Sequence, residues 1–417
     1  MGTVLSGDTE PIPRVRAARG HGHSAPPPAS RRVRTLLIGL LTPFGVAAIV
    51  GAVLLFPTGD AGRPATAGRE PVRGVVTAAQ SGPCSAEVQT GAPQGDQCLA
   101  VTVRMTDGPA PEREVRIIAP LEPSSPRFAV DDEVVLAYAG GDPLAGQSYQ
   151  IVDFQRDVPL ILLAGLFALA VLVLGRWQGL KALVGLGISF AVLVLLVLPA
   201  IIAGSNPLLV ATVGAGVIMF AVLYLTHGFS ARTSTAVLGT LVSLALIGGL
   251  GALFSITARL TGLDEETATL VGTLGHGIDT RGLLLAGVVI GALGVLDDVT
   301  VTQTSAVFEL RAANETLGWR RLYAAGLRIG RDHVSSAVNT LVMAYAGAAL
   351  PVLLYSSISG VGLGGILSAQ SIAQEIVRTL VGSIGLIAAV PITTALAAIL
   401  AVQELRSSTN GAQRRRG

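Results

Sequence analysis

Long apolar runs recur along most of the chain, and each is long enough to predict a helix that spans a membrane. Seven of these runs are plain, at residues 36–56, 158–175, 182–203, 207–226, 236–257, 335–357 and 380–403. An eighth run begins at Gly282, but its uncharged part ends at Leu296. That stretch rises only about 22 Å, whereas the hydrocarbon core of a bilayer is about 30 Å thick. The eighth helix is therefore predicted to continue through Asp297 and Asp298, and the chain to contain eight transmembrane helices.

The composition supports a polytopic membrane protein and excludes a water-soluble enzyme. Apolar residues make up 51% of the chain and charged residues only 13%, whereas soluble domains have about 25% charged residues. The mean hydropathy of +0.63 reports the same deficit of charge. The predicted fold is thus a mainly α-helical membrane bundle, and its first partner is the lipid bilayer.

The distribution of basic residues predicts the orientation of this bundle. Of 29 Lys and Arg residues, 18 lie in the segments 1–35, 176–181, 227–233, 309–334 and 404–417. The short loops on the opposite side hold three, namely Arg259, Arg281 and Arg378. Because basic residues concentrate in cytoplasmic loops, we expect a multi-pass protein of the cell membrane with both termini in the cytoplasm.

Five domains follow from this topology. Residues 1–35, rich in Pro and Arg, are predicted to be a disordered cytoplasmic segment. The other predicted parts are the first transmembrane helix (36–56), an extracytoplasmic domain (57–157), a seven-helix transmembrane domain (158–403) and a basic cytoplasmic tail (404–417).

The extracytoplasmic domain is predicted to be a small β structure. Alternating apolar and polar residues indicate strands at Leu99–Met105, Val115–Ile118 and Glu133–Tyr138, with weaker ones at Val72–Thr77 and Tyr149–Phe154. Five short strands separated by turns favour a closed or partly closed β-barrel, similar to an OB-fold. The domain carries 14 acidic and eight basic residues and no run of aromatic residues, so nucleic acid is not an expected partner. It is either a structural cap or a ligand-binding module.

Cys84 and Cys98, the only cysteines, lie in this domain and are predicted to form a disulfide. Two free thiols are the alternative. A zinc site is not expected, because the domain has no histidine to complete a tetrahedral set. We expect neither a metal nor a cofactor elsewhere in the chain.

The acidic pair Asp297–Asp298 is the main candidate for chemistry. A charge within a membrane span costs at least about 2.5–3.5 kcal/mol and marks a functional site by default. Asp298, Thr302 and Ser305 follow one another at helical spacing, so they share one face of a helix. We expect this face to line a path for a proton or a cation. In the alternative, the helix starts near Leu270 and the aspartates are ordinary residues at the cytoplasmic interface.

The predicted seventh helix supplies candidate partners for the pair, among them Asn339 and Tyr345. The side chain of Asn339 is placed to hydrogen-bond a carboxylate across a helix interface, as polar side chains in membrane bundles often do. A purely structural role for Asn339 is equally compatible with the sequence. The glycines Gly287, Gly291 and Gly294 are interpreted as a site of close helix packing.

Several of these segments resemble the YibE/F family of bacterial membrane proteins. They are the residues 291–305 around the Asp-Asp pair, Arg328–His333, Asn339–Gly347, Ile151–Phe154 and Glu375–Arg378. The resemblance covers about residues 70–400 and implies a small external β-domain that follows one helix and precedes seven further helices. It implies no established substrate.

Three functions remain to be weighed. The favoured one is a proton- or cation-coupled transporter, in the export direction, for a small solute or ion that the sequence does not identify. The second is a sensor or assembly factor whose external domain binds a ligand or an envelope protein. An enzyme is disfavoured, because the chain has no phosphate-binding loop, no H-E-x-x-H motif and a single lysine. Homo-oligomers are left open.

Overall fold

A computed structural model describes residues 31–57, 70–83, 97–121, 126–274, 277–358, 360 and 362–414. The predicted disorder of the N-terminus concerns mostly residues 1–30, which lie outside the described residues. The last residues of the basic tail, 415–417, also lie outside them.

The described part of the chain is mainly helical. Its helices are α1 (Arg31–Leu55), α2 (Asp157–Val192), α3 (Leu198–Ile202), α4 (Pro207–His227), α5 (Ala231–Thr257), α6 (Glu265–Leu274), α7 (Thr280–Ala313), α8 (Trp319–Ala348), α9 (Leu350–Ile358), α10 (Leu363–Ser368) and α11 (Gln370–Arg414). Within the described residues, six helical segments are long and apolar enough to cross a membrane: Val33–Leu55, Asp157–Ile202, Pro207–His227, Ala231–Thr257, Thr280–Ala313 and Gln370–Glu404. The protein is thus built as a multi-pass membrane helix bundle.

The segment Asp157–Ile202, 46 residues long, contains two of the predicted spans, which are two helices joined at a kink. It continues from α2 through a π-helical stretch, Leu193–Val197, into α3. The run is not straight, because Arg176 has a non-helical backbone with φ 49° and ψ −124°. A Cβ atom on Gly179 would overlap with the carbonyl oxygen of Val171, although residues eight apart in a straight helix lie about 12 Å apart. The chain therefore doubles back at Arg176.

The predicted span 335–357 is divided between α8 and α9, and neither helix is among the six candidates. Pro351 lies in the first turn of α9, where its missing N–H is best tolerated. The first part of the predicted span is also polar, since Ser335, Ser336 and Asn339 interrupt its apolar residues.

A five-stranded antiparallel sheet lies between α1 and α2 in the sequence. Its strands are β1 (Glu70–Pro83), β2 (Gln97–Met105), β3 (Glu114–Pro120), β4 (Glu133–Tyr138) and β5 (Tyr149–Phe154), in the order β3-β2-β1-β4-β5. Irregular register at Val76/Ala78 in β1 and at Val135/Leu136 in β4 adds curvature. The inner face is a core of buried aliphatic side chains such as Val72.

The two edges of this sheet approach each other without pairing. A 3-10 turn, Gly146–Ser148, precedes β5 and lies against β3, where a Cβ on Gly146 would overlap with the carbonyl oxygen of Arg116. No hydrogen-bonded ladder joins β3 to β5 among the described strands. The predicted β-domain is confirmed as a small curled sheet, and the closed barrel stays a prediction.

Cys98 is buried in β2 and is disulfide-bonded. Cys84 follows the last residue of β1 and lies outside the described residues. The pairing of these two cysteines therefore stays a prediction.

The sheet is joined to the bundle by a short, well-bonded connection. The backbone N–H of Gln155 donates to the carbonyl oxygen of Glu133 over 2.8 Å. Arg73 in β1 forms a salt bridge of 3.3 Å with Asp157, the first residue of α2. The chain from β5 to the start of α2 is thus bonded to two other strands of the sheet, β4 and β1.

The bundle has two distinct ends. At one, the near end, Val33 of α1, Val307 of α7 and Ala397 of α11 belong to one core cluster. At the other, the far end, Leu55 packs with Ile201 and Leu283. The described start of α1 and the C-terminal half of α11 thus lie at the same end of the bundle.

Candidate functional site

The acidic pair lies at the middle of α7. This helix has 34 residues, a length of about 51 Å. It begins at Thr280, where the side chain of Asp279 accepts a hydrogen bond of 2.9 Å from the backbone N–H of Gly282 and caps the helix. Leu270 lies in the separate helix α6. The helix through Asp297 and Asp298 therefore starts where the sequence predicted, and the alternative start near Leu270 is not observed.

The two aspartates have opposite surroundings. The Oδ1 atom of Asp297 is buried and has no hydrogen-bond partner among the described residues. Asp298 is exposed on the outside of the bundle. Successive residues of a helix are about 100° apart around its axis, so one carboxylate points inward and the other outward.

The face predicted to line a path is the exposed one. Asp298 and Thr302 are exposed and Ser305 is half-buried; these three residues are called the exposed stripe below. At the near end, the same face reaches Glu309, which forms a salt bridge of 2.7 Å with Arg232 at the start of α5. The exposed stripe therefore ends at an ion pair between α5 and α7.

A second polar face of α7 points into the bundle. Thr300 and Thr304 follow Asp297 at helical spacing and are fully buried. The hydroxyl groups of Thr300 and Thr240 in α5 form a hydrogen bond of 2.8 Å. The hydroxyl of Thr304 is buried and has no partner among the described residues.

Gln303 joins this inner face to two further helices. Its amide nitrogen donates to the carbonyl oxygen of Gly326 in α8 over 2.6 Å and to the hydroxyl of Thr394 in α11 over 2.8 Å. Thr393, the neighbour of Thr394, has a buried hydroxyl without a partner among the described residues. A Cβ on Gly239 of α5 would overlap with that hydroxyl, so the backbone of α5 lies directly on Thr393.

Together these side chains form a polar layer in the interior of the bundle, one to two helical turns from Asp297. Its members are buried residues of three helices: Thr240, Thr300, Gln303, Thr304, Thr393 and Thr394. The layer contains two hydroxyl oxygens with unused hydrogen-bonding capacity. Hydroxyl and carboxylate oxygens are the ligand types of hard cations and the carriers of proton relays.

The predicted partnership of Asn339 with the acidic pair is not formed. Asn339 is exposed on α8, and among the described residues its side chain makes no hydrogen bond with either aspartate. Its neighbour Val338 packs instead into the apolar cluster that contains Leu296. Another residue of α8, Tyr345, half-buried and one to two turns further along the helix, approaches the glycines of α7.

The glycines of α7 serve a purpose different from the predicted helix packing. Gly287, Gly291 and Gly294 are exposed and precede Asp298 on the same side of α7; they are called the glycine face. The guanidinium of Arg378 in α11 is the nearest group to Gly287, and the hydroxyl of Tyr345 is the nearest to Gly291. Polar side chains, rather than another helix backbone, thus occupy the space beside the first two glycines, and no described residue of another helix lies within 4 Å of a Cβ on Gly294.

Sequence reasoning named Tyr345 as a candidate partner of the acidic pair, but it did not place Arg378 or Glu375 in a site. The signal was present, because Glu375 and Arg378 are charged residues three apart in the first turns of an apolar helix. They form an ion pair of 2.7 Å, with side chains only 30% and 28% exposed. The described residues contain no group of three or more His, Cys, Asp or Glu residues placed to hold a metal ion.

Comparison with known proteins places most of the membrane domain in one family. The family described as YibE/F-like protein matches residues 163–403, which is more than half of the chain. No curated protein and no solved structure matches the chain. The matched region contains the acidic pair, the polar layer and the glycine face.

Proposed function

We propose that this chain, which belongs to the YibE/F-like family of membrane proteins, is a proton- or cation-coupled transporter of a small solute or ion. In this proposal Asp297 and Asp298 bind the coupling ion. The direction of transport is export, and the substrate itself is not assigned.

The buried carboxylate oxygen of Asp297 carries this proposal. It lies at the middle of a helix that is long and apolar enough to cross a membrane, and it has no hydrogen-bond partner among the described residues. An unpaired charge in such a place is costly unless it binds something. A proton or a cation removes that cost, and its release restores it. The site therefore favours reversible ion binding over a purely structural role.

The two polar faces of α7 supply the routes to and from this carboxylate. The exposed stripe, which begins at Asp298, runs toward the near end of the bundle. The polar layer continues the inner face from Asp297 between α5, α8 and α11. Since the two carboxylates are adjacent, an ion can pass from one face to the other with a small movement of α7. Thr302, Ser305 and the exposed Asn339 line the first of these routes in the proposal.

The orientation of the bundle is part of the proposal. We assign the near end to the cytoplasm, with the curled sheet outside the cell membrane, because the basic residues concentrate in the loops of the near end. The run Asp157–Ile202 crosses twice by doubling back at Arg176, and α8 with α9 forms a further crossing. The proposed number of spans is then eight, with both termini in the cytoplasm.

The proposal is tested with the full chain reconstituted in liposomes that enclose a pH-sensitive dye. Pulses of Na⁺, K⁺ or Mg²⁺ are added to liposomes with an imposed pH gradient. We expect at least one cation to change the internal pH through the protein. The Asp297→Asn, Asp298→Asn double variant is expected to abolish this flux, because an amide can neither take up a proton nor hold a cation by charge.

The matched control is Glu315→Gln, which removes a carboxylate from the exposed connection between α7 and α8. It is expected to leave the flux unchanged. Equal ion flux in the wild type and in the double variant would refute the role of the acidic pair.

The second candidate function, a sensor or assembly factor, is favoured by one observation. The curled sheet is bonded directly to the start of α2 through Gln155 and the Arg73–Asp157 salt bridge, so binding at the sheet would be transmitted to the membrane domain. This function predicts a stable partner that co-purifies equally with the wild type and with the double variant. A partner of this kind, together with dispensable aspartates, would replace the transport proposal.

A further inference from the structure

The first two residues of the glycine face of α7, Gly287 and Gly291, form the floor of a polar trough whose walls come from other helices. Gly287, Gly291 and Gly294 expose the backbone of α7. Arg378 of α11 stands beside the first of them and Tyr345 of α8 beside the second. Tyr345 also lies within electrostatic range of Arg378. This trough lies on the same side of α7 as Asp298 but is not used by the proposed ion path.

The hydrogen-bond donors of Arg378 are only partly used. A guanidinium presents five N–H donors in a rigid fork. One terminal nitrogen, Nη1, donates to the Glu375 carboxylate over 2.7 Å. The Nε atom is buried and has no partner among the described residues. The unused pair, Nε and Nη2, forms the side-on edge of the fork, the geometry that holds a carboxylate or a phosphate with two parallel hydrogen bonds.

The absence of a side chain at position 287 keeps room beside the Nη2 end of this edge. A Cβ atom on Gly287 would stand 3.6 Å from Nη2 and 3.9 Å from the central carbon of the guanidinium. That space is where an anionic group would reach Arg378. The hydroxyl of Tyr345 lies 3.0 Å from the position that a Cβ on Gly291 would take. It offers a further hydrogen-bond donor one turn of α7 away from Gly287.

We propose that Arg378 and Tyr345, over Gly287 and Gly291, form a binding site for a ligand that carries a carboxylate or a phosphate group. Glu375 already balances the charge of Arg378, so the site favours a singly charged group over a doubly charged one. The ligand is either a small free anion or the headgroup of an anionic lipid, since both present the same chemistry. The site adds a ligand class to the proposed transport function. Binding itself does not depend on Asp297 or Asp298, which lie about 15–17 Å further along α7.

The experiment measures thermal unfolding of the full chain in lipid nanodiscs. In discs of phosphatidylcholine, sodium acetate or sodium phosphate is titrated against sodium chloride at equal ionic strength. A saturable rise of the apparent Tm with acetate or phosphate, above that with chloride, supports a free anion as the ligand. In discs that contain phosphatidylglycerol, a raised Tm that added acetate no longer changes supports a lipid headgroup.

Two substitutions locate the effect at the trough. Arg378→Lys keeps the positive charge but loses the fork, so its affinity for the anion is expected to fall about tenfold. Gly287→Ala keeps Arg378 and fills the space beside it with a methyl group at ordinary contact distance, so it is expected to weaken binding without unfolding the protein. The matched control is Gly294→Ala on the same face, whose methyl group meets nothing within 4 Å; it is expected to bind like the wild type.

The proposal is overturned if neither type of disc shows stabilisation beyond chloride, or if Gly287→Ala binds as well as Gly294→Ala. Should Arg378→Lys fail to fold, this glycine pair still decides the matter. The Asp297→Asn, Asp298→Asn variant is expected to keep its anion binding. If that variant loses ion flux but keeps anion binding, both proposals are supported. If anion binding is absent from the wild type while its ion flux depends on the aspartates, only the anion site is refuted.

Discussion

Adjacent residues of a membrane helix need not share a role, and the acidic pair illustrates why. Asp297 and Asp298 are chemically identical, yet one has a buried oxygen without a partner and the other is exposed. The difference comes from the rotation of about 100° between successive residues of a helix. A negative charge on Asp297 therefore destabilises the folded protein more than one on Asp298. Single substitutions can measure the two effects separately.

We expect Asp297→Asn to raise the apparent Tm of the purified protein, because it removes a buried charge that the fold leaves unpaired. Asp298→Asn is expected to change the Tm little, since the exposed carboxylate is not enclosed by the bundle. Thermal unfolding of both single variants at neutral pH measures this difference. Equal shifts would contradict the inward and outward assignment, whatever the outcome of the flux assay.

The sequence predicted where charge enters the membrane domain but not which carboxylate is buried. Helical spacing alone groups Asp298 with Thr302 and Ser305, and equally groups Asp297 with Thr300 and Thr304. The choice is made by residues 60 or more positions away in sequence, such as Thr240, which bonds to Thr300. The same holds for Asn339, whose orientation is set by the packing of its neighbour Val338.

At the scale of the elements, close packing of α5 and α11 depends on a missing side chain. A Cβ on Gly385 of α11 would overlap with two side-chain atoms of Ile247 in α5, which is fully buried. Ile247 is β-branched and has little freedom to turn away. We therefore expect Gly385→Ala to destabilise the bundle by about 1–3 kcal/mol through overpacking, measured as a lower apparent Tm.

Gly382→Ala is the matched control, one turn earlier on the same helix. Its new methyl group would stand 3.7 Å from Leu341, an ordinary contact. In a helix interior Ala is favoured over Gly by roughly 0.5–1 kcal/mol, so this variant is expected to be as stable as the wild type or slightly more stable. Equal losses from both substitutions would show that helix packing at Ile247 is not the cause.

The elements themselves followed the apolar pattern well, with two informative differences. The predicted runs 158–175 and 182–203 are both helical, but the connection between them is shorter than predicted, because the backbone reverses at the single residue Arg176, between Gly175 and Gly179. The strands were predicted at the right places, but β1 extends to Pro83, beyond the alternating pattern, since pairing with β2 supplies hydrogen bonds that the local sequence does not reveal.

At the scale of the whole molecule, the ends of the helices constrain how often the chain crosses the bundle. The start of α1 packs at the near end with α7 and α11, whereas the end of α1 and residues of α3 and α7 meet at the far end. Since α1 starts at the near end and α11 finishes there, the helices from α1 to α11 must cross the bundle an even number of times. The six candidate spans alone give an even number of crossings. The reversal at Arg176 and the crossing by α8 and α9 each add one, so both together give eight, which is also even, whereas either alone gives seven.

Cysteine labelling distinguishes these two cases. Single cysteines are introduced as Gln178→Cys just after the reversal, Ala203→Cys after α3 and Glu315→Cys between α7 and α8, each in a chain whose two native cysteines are replaced by serine. All three positions are exposed or in loops. With eight crossings, a membrane-impermeant maleimide is expected to reach Ala203→Cys from outside the cell. It is expected to reach the other two only from the cytoplasmic side, in inside-out vesicles.

With six crossings the pattern changes at one position. A single oblique pass by the 46-residue run would bury Gln178→Cys in the bilayer and leave it unlabelled from either side. Labelling of Glu315→Cys from outside would instead indicate the opposite orientation, with the polar layer closer to the external surface. The positive-inside distribution argues against that reversal, because the connection between α7 and α8 and the start of α8 carry Arg320 and Arg321. Labelling of Gln178→Cys from the cytoplasmic side is therefore the result that the doubled-back geometry at Arg176 requires.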